Sequence, residues 1–197
     1  KIIQKHSGLR PIEWFRTGVH ALDLMIGNGI PRGRAIEIYG SESSGKSLLA
    51  WICAKVVQML GGIVLLADVE ATAPEEYMKQ QGVNTDLVVL IQGKTIEAIR
   101  DEIIARTKEL REAGFKGPIL AIIDSIAACT AEGQWEDADN WVPKDDTVGR
   151  KAHSLSEFFS HFTLFLRDYD VTLLCVNQVR EKIGVMFGCL HADMPIL

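Results

Sequence analysis

Gly40-Ser41-Glu42-Ser43-Ser44-Gly45-Lys46-Ser47 places two glycines, a lysine and a hydroxyl at the spacing G-x-x-x-x-G-K-[ST]. Those residue types in that order suit a cradle for the phosphates of a nucleotide. The glycines let backbone amides converge on phosphate oxygens, Lys46 can reach the β- and γ-phosphates, and the Ser47 hydroxyl can ligate Mg²⁺. Leu48 follows and opens an apolar helix whose N-terminal dipole favours the same anion, so residues 40–48 form the candidate phosphate site. The other reading is a chance glycine-rich turn, but an apolar strand before the loop and a helix after it are the context the motif requires.

A bound metal–nucleotide pair needs further polar groups, and three strand ends offer them. Asp124 follows the apolar run Ile119-Leu120-Ala121-Ile122-Ile123, and with Ser125 it would hold the water shell of Mg²⁺. Glu70 lies just beyond a strand that closes in Asp68-Val69 and is the candidate general base, able to orient and polarise the water attacking a γ-phosphate. Asn177-Gln178 closes the last apolar strand, where the Gln178 amide could sense a γ-phosphate and move when it leaves. Strand-end polar residues also serve as turn residues, surface acids and caps, and spacing alone leaves those alternatives open. Arg180, Glu181 and Lys182 then lead into Ile183-Gly184-Val185-Met186-Phe187-Gly188, a basic entry to an apolar, glycine-bounded loop. Basic groups beside apolar wedges suit single-stranded nucleic acid, and an ordinary turn is the plainer reading.

The elements that must position these residues alternate. Strand patterns at 35–39, 63–67, 87–91, 119–123 and 171–176 are separated by helix patterns at 47–60, 74–81, 95–113 and 148–169. Four of the strands are nearly continuous apolar runs, as strands buried on both faces are. The pattern predicts the α/β class, with a mostly parallel central sheet flanked by helices on both faces. Residues 132–146 are acidic, carry Trp135 and Trp141, and follow neither period; they read as a loop, either functional or mobile, with a solvated excursion as the plainer reading.

The chain has 197 residues, 47% hydrophobic and 24% charged, the balance of one globular domain rather than a disordered or fibrous segment. Its apolar runs are far shorter than the roughly 18 residues a membrane span requires, so a soluble protein without membrane association is expected. Cys53, Cys129, Cys175 and Cys189 lie far apart, without zinc-ligand spacing or a disulfide framework. Reduced thiols and a cytoplasmic location are the default. A net charge of −5 argues against a generally basic nucleic-acid binder, so any DNA site must be local. The chain starts at Lys1, not Met, and is expected to be part of a longer protein.

Taken in order, the motifs resemble the RecA family of DNA recombinases. The matching pieces are Thr17-Gly18 with Leu22-Asp23, residues 33–40, the phosphate loop, Asp68-Val69-Glu70, residues 122–128, and above all residues 176–188, which are similar to the start of that family's second DNA-binding loop. The resemblance spans 16–188, with a residual segment at 1–15 and a separate tail at 189–197. It implies a RecA-like P-loop NTPase core in which ATP and Mg²⁺ bind at the phosphate loop and Tyr77 stacks on the adenine. It gives Glu70 the activation of water and Gln178 the coupling of the γ-phosphate to the DNA loop. Val148 and Gly149 would end the first DNA loop, while Arg180, Lys182 and the apolar wedge Ile183 would contact DNA in the second. The implied activity is ATP-dependent assembly into a helical filament on single-stranded DNA, followed by pairing and strand exchange with double-stranded DNA in recombination and repair. Other RecA-fold ATPases, a helicase-like motor or a regulatory ATP binder, are the competing readings.

The tail departs from that pattern. Cys189-Leu190-His191-Ala192-Asp193-Met194-Pro195-Ile196-Leu197 resembles the first motif of an intein. On that resemblance Cys189 would be a nucleophile attacking the Gly188 carbonyl in an N-to-S acyl shift. The alternatives are a divergent DNA loop or a cloning artefact.

Overall fold

A computed structural model of the chain describes residues 12–71, 75–130, 147–178, 180–181 and 191–192. In chain order the elements are β1 (Trp14–Phe15), α1 (His20–Ile26), β2 (Ile30–Pro31), β3 (Ala35–Gly40), α2 (Lys46–Met59), β4 (Ile63–Asp68), α3 (Glu75–Gln80), β5 (Val88–Leu90), α4 (Ile96–Glu112), β6 (Ile119–Asp124), α5 (Thr147–Asp168), β7 (Val171–Gln178), β8 (Arg180–Glu181) and β9 (His191–Ala192).

Five strands form one parallel sheet in the order β3-β7-β6-β4-β5. Its strands are apolar at successive positions because both pleat faces are covered. Leu65, Ala67, Ala121, Ile123, Leu173 and Cys175 point to one face and pack with Ile99 and Ile103 of α4 and Phe158 and Phe162 of α5. Val64, Leu66, Leu120, Ile122, Leu174 and Val176 point to the other and pack with Trp51, Ala54 and Val57 of α2 and Met78 of α3. The α/β architecture expected from the sequence is the observed one.

Each long helix buries the stripe its spacing dictates. In α4 the buried residues Ile96, Ile99, Ile103 and Thr107 recur at three to four positions, and the Thr95 side chain caps the helix by accepting the Ala98 amide at 3.2 Å. In α5 an aromatic row runs along the helix, with ring centroids 4.9 Å apart for Phe158–Phe162 and 5.5 Å for Phe162–Phe165. The strand expected at 87–91 is shorter than predicted. Asn84 accepts the Asp86 amide at 3.0 Å and turns Thr85–Leu87 into a 3-10 helix, leaving Val88–Leu90 as strand.

The sequence pattern did not predict the N-terminal elements. Strands β1 and β2 pair antiparallel, and α1 lies between them. Asp23 holds this region: its Oδ1 accepts both the Thr17 amide and the Thr17 hydroxyl at 2.8 Å. Gly18, at φ +87, passes so close to α2 that a Cβ would meet Ile52 at 2.6 Å. Arg32 ties the hairpin to the start of the sheet through ion pairs to Glu13 and Asp170. The loop expected at 132–146 lies outside the described residues. Among the described residues, no helix is long and apolar enough to cross a membrane.

Candidate nucleotide site

Parallel pairing sends the carboxyl ends of the strands to one edge of the sheet, where α/β folds bind ligands. The register sets what meets there. Gly40 pairs with Gln178, Asp124 with Val176, and Asp68 with Asp124, so the phosphate loop, Gln178, Asp124 and the Glu70 turn leave the sheet side by side. The ladder runs one step further through the Val69 amide, which donates to the Asp124 carbonyl at 2.9 Å and sets Glu70 near Ser125.

The loop leaves β3 at Gly40 and enters α2 through Ser43 at φ 57 and Gly45 at φ 87, both left-handed. No side chain caps α2, and its first turn begins with the Leu49 amide donating to the Gly45 carbonyl at 2.9 Å. The amides of Lys46, Ser47 and Leu48 therefore have no intrahelical acceptor and are available to an anion. Residues 41–45 are exposed. The Lys46 ammonium folds back to donate to the Ser41 carbonyl at 2.6 Å, which holds the cation over the cradle.

Beneath the loop Asp124, 9% exposed, lies with the Ser47 hydroxyl beside it. Burial pushes the Asp124 carboxyl above the usual aspartate value; the Ser47 hydroxyl opposes this, the negative charges of Glu70 and Asp68 add to it, and Lys46 again opposes. A hydroxyl and a buried carboxylate beside further negative charge fit a divalent cation. No group of three or more His, Cys, Asp or Glu side chains among the described residues forms an all-protein cage.

Glu70 is exposed at the mouth of the site, where its Oε1 accepts the Ser125 hydroxyl and the Gln178 side-chain amide, the latter at 3.4 Å. Glu70, Gln178, Asp124, Lys46 and Ser47 are thus brought to one edge. Tyr77 stands on α3 with its side chain partly exposed. Val148 and Gly149 lie in the first turn of α5, and Arg180 lies in β8, paired with Ala192. Lys182, Ile183 and Cys189 lie outside the described residues.

Two features escaped the sequence reading. Ser125, expected beside Asp124 in a metal water shell, donates its hydroxyl to Glu70. Asn177 donates to Glu37 at 2.7 Å and accepts the Gln178 amide at 2.9 Å, so Glu37 braces the strand end that carries Gln178. The available signal was Glu37 itself, an isolated acid inside the apolar strand Ala35-Ile36-Glu37-Ile38-Tyr39.

Comparison with known proteins gives this arrangement its family. The RecA N-terminal domain model matches residues 2–193. The chain is 36% identical over 185 residues to Protein RecA of Mycobacterium leprae, covering 92% of this chain and 24% of that protein. It is 35% identical over 180 residues to Protein RecA of Mycoplasma mobile, covering 90% and 51% respectively. Against Protein RecA of Streptomyces rimosus the identity is 38% over 181 residues, covering 90% and 45%. The chain thus spans about half the length of most of these relatives and a quarter of the first. A parallel sheet with a phosphate loop at its carboxyl edge, matched over nearly the whole chain by that domain model, places this protein in the RecA family, whose members bind nucleotides.

Proposed function

We propose that the complete protein is a DNA-dependent ATPase of recombinase type. It binds ATP with Mg²⁺, assembles head to tail as a helical filament on single-stranded DNA in the cytoplasm, and promotes pairing and strand exchange with double-stranded DNA in recombination and repair. The observation that carries the reading is the meeting of Ser47 with Asp124 beneath the loop and of Gln178 with Glu70 beside it. Head-to-tail contacts that do not close generate filaments, which suits a chain organised along a nucleic acid.

Mg²⁺ bound here would neutralise charge developing on the phosphates. The amides of residues 46–48 bind the phosphate oxygens, Lys46 leaves Ser41 to reach the β- and γ-phosphates, and Tyr77 stacks on the adenine. Ser47 would ligate the metal, and Asp124 would hold its water shell. Glu70 orients the attacking water and accepts its proton. Gln178 hydrogen-bonds at the γ-phosphate position and lies two residues before Arg180, so its movement passes directly into the segment that carries Arg180, Lys182 and Ile183. Val148 and Gly149 supply the second DNA contact.

ATP turnover by the product of the complete gene, with and without single-stranded DNA, tests the reading. Strong stimulation by DNA is expected, and Glu70→Gln should lower turnover about 100-fold while nucleotide binding persists. ATP binding with no DNA-dependent turnover would replace the recombinase by a regulatory nucleotide binder.

A further inference from the structure

Ser125 occupies the N-cap position of the short turn Ile126–Ala128, with extended backbone at φ −111 and ψ 151. A serine there ordinarily turns its oxygen onto an amide of the turn it opens. Ser125 makes no such bond. Its hydroxyl crosses between strand ends and donates to Oε1 of Glu70, the oxygen that also accepts from Gln178 at 3.4 Å.

The two partners differ in rigidity. Ser125 is 1% exposed, and its carbonyl is pinned by the Ala128 amide at 3.1 Å and the Cys129 thiol at 3.7 Å. Glu70 is an exposed, long side chain that would otherwise sample several rotamers. A donor fixed in the core therefore restrains a mobile carboxylate. Among the described residues no hydrogen bond is made to Oε2 of Glu70.

We infer that Ser125 is a positioning residue for Glu70: its hydroxyl, with the Gln178 amide, anchors Oε1 and leaves Oε2 to take the proton of the attacking water. The inference rests on the reading of Glu70 as general base. Rate is sensitive to small misplacements of a reacting group, so removing the anchor weakens turnover without touching the phosphate cradle. A role in the metal water shell makes a different demand, because it would weaken Mg²⁺-dependent nucleotide binding.

The test uses the complete protein with Ser125→Ala, Ser125→Thr, Glu70→Gln and the Ser125→Ala/Glu70→Gln pair. Two things are measured: kcat and KM for ATP at saturating single-stranded DNA, and equilibrium binding of a fluorescent ADP across a Mg²⁺ titration. Ser125→Ala should lower kcat about tenfold, the effect of one lost hydrogen bond. KM, ADP affinity and the Mg²⁺ midpoint should stay unchanged. Ser125→Thr, which keeps the hydroxyl, should restore most of kcat, and in the Glu70→Gln background Ser125→Ala should have no further effect. Should Ser125→Ala fail to fold, Ser125→Cys keeps the volume with a much weaker donor, and the same split is expected. Unchanged kcat in Ser125→Ala, a shifted Mg²⁺ midpoint, or an equal loss in the Glu70→Gln background would each overturn the inference. Wild-type turnover by Glu70→Gln would remove the base reading and this inference together; an inactive Glu70→Gln beside an unaffected Ser125→Ala would remove the inference alone.

Discussion

At the scale of single residues, the candidate site gathers carboxylates that disfavour one another's ionisation. Asp124 is buried next to Glu70 and Asp68, and its carboxyl is raised above the ordinary value. Between the ordinary aspartate value and the raised one, the folded protein therefore holds a proton that the unfolded chain has already lost. Folding stability falls as pH rises from about 4, the ordinary aspartate value, through the raised one. Asp124→Asn should raise the stability of the nucleotide-free protein at pH 7 by about 1 kcal/mol, or about 2–4 °C in Tm for a chain of this size. It should also abolish the additional stabilisation that Mg²⁺ gives to bound nucleotide. Melting curves with nucleotide, with and without Mg²⁺, check both outcomes. Asp23 has the opposite sign. The Thr17 amide holds its carboxyl below the usual range against the burial that would raise it, with help from the Thr17 hydroxyl, Arg16 and His20. Its contribution is complete above about pH 4 and is lost as pH falls through the lowered value. Asp23→Asn should thus lower Tm at pH 7, with the gap to wild type closing in acid.

At the scale of elements, the helices are held by different devices. Helix α4 is capped by Thr95, and Thr95→Ala should cost about 1 kcal/mol in chemical denaturation. Its exposed pairs, Arg106 with Glu102 at 2.9 Å and with Glu109 at 3.0 Å, contribute far less because both partners remain hydrated. Helix α2 has no side-chain cap, and its open amides are what an anion requires. Its stability comes from Trp51, Ala54 and Val57 packed under the sheet. The segment at Thr17-Gly18 presses on the same helix, and the Cys53 thiol donates to the Thr17 carbonyl at 3.7 Å. Gly18→Ala would force a Cβ onto Ile52 from a left-handed backbone. It should destabilise the fold by more than 1 kcal/mol, read as a lower denaturation midpoint.

At the scale of the whole molecule, one sheet couples the nucleotide edge to the segment expected to meet DNA. Strand β7 lies between the phosphate-loop strand β3 and the Asp124 strand β6, and it ends at Gln178, two residues before Arg180. Glu37, Asn177 and Gln178 form a continuous chain of hydrogen bonds at that end. Asn177→Ala leaves Glu37 without this partner and frees the backbone N–H of Gln178. In the complete protein it should reduce the stimulation of ATP turnover by single-stranded DNA while leaving nucleotide affinity close to wild type. Parallel titrations of DNA and of nucleotide measure the two separately.

Sequence alone determined the class of the fold and the placement of the loop 40–47, Asp124, Glu70 and Gln178 at one end of the strands. Continuous apolar runs separated by helical periods, and a loop motif of fixed spacing, are local patterns that need no knowledge of what lies across the sheet. The shorter β5 and the N-terminal hairpin were less legible, because side-chain bonds from Asn84 and Asp23 decide them and neither leaves a periodic signal. Pairing between strands far apart in the chain was not legible at all. Only the tertiary structure decided that β7 enters between β3 and β6, that Glu37 braces Asn177, and that Ser125 gives its hydroxyl to Glu70 rather than to its own turn. Each depends on register between segments separated by 52 to 140 residues, and a spacing rule within one segment carries no information about register with another.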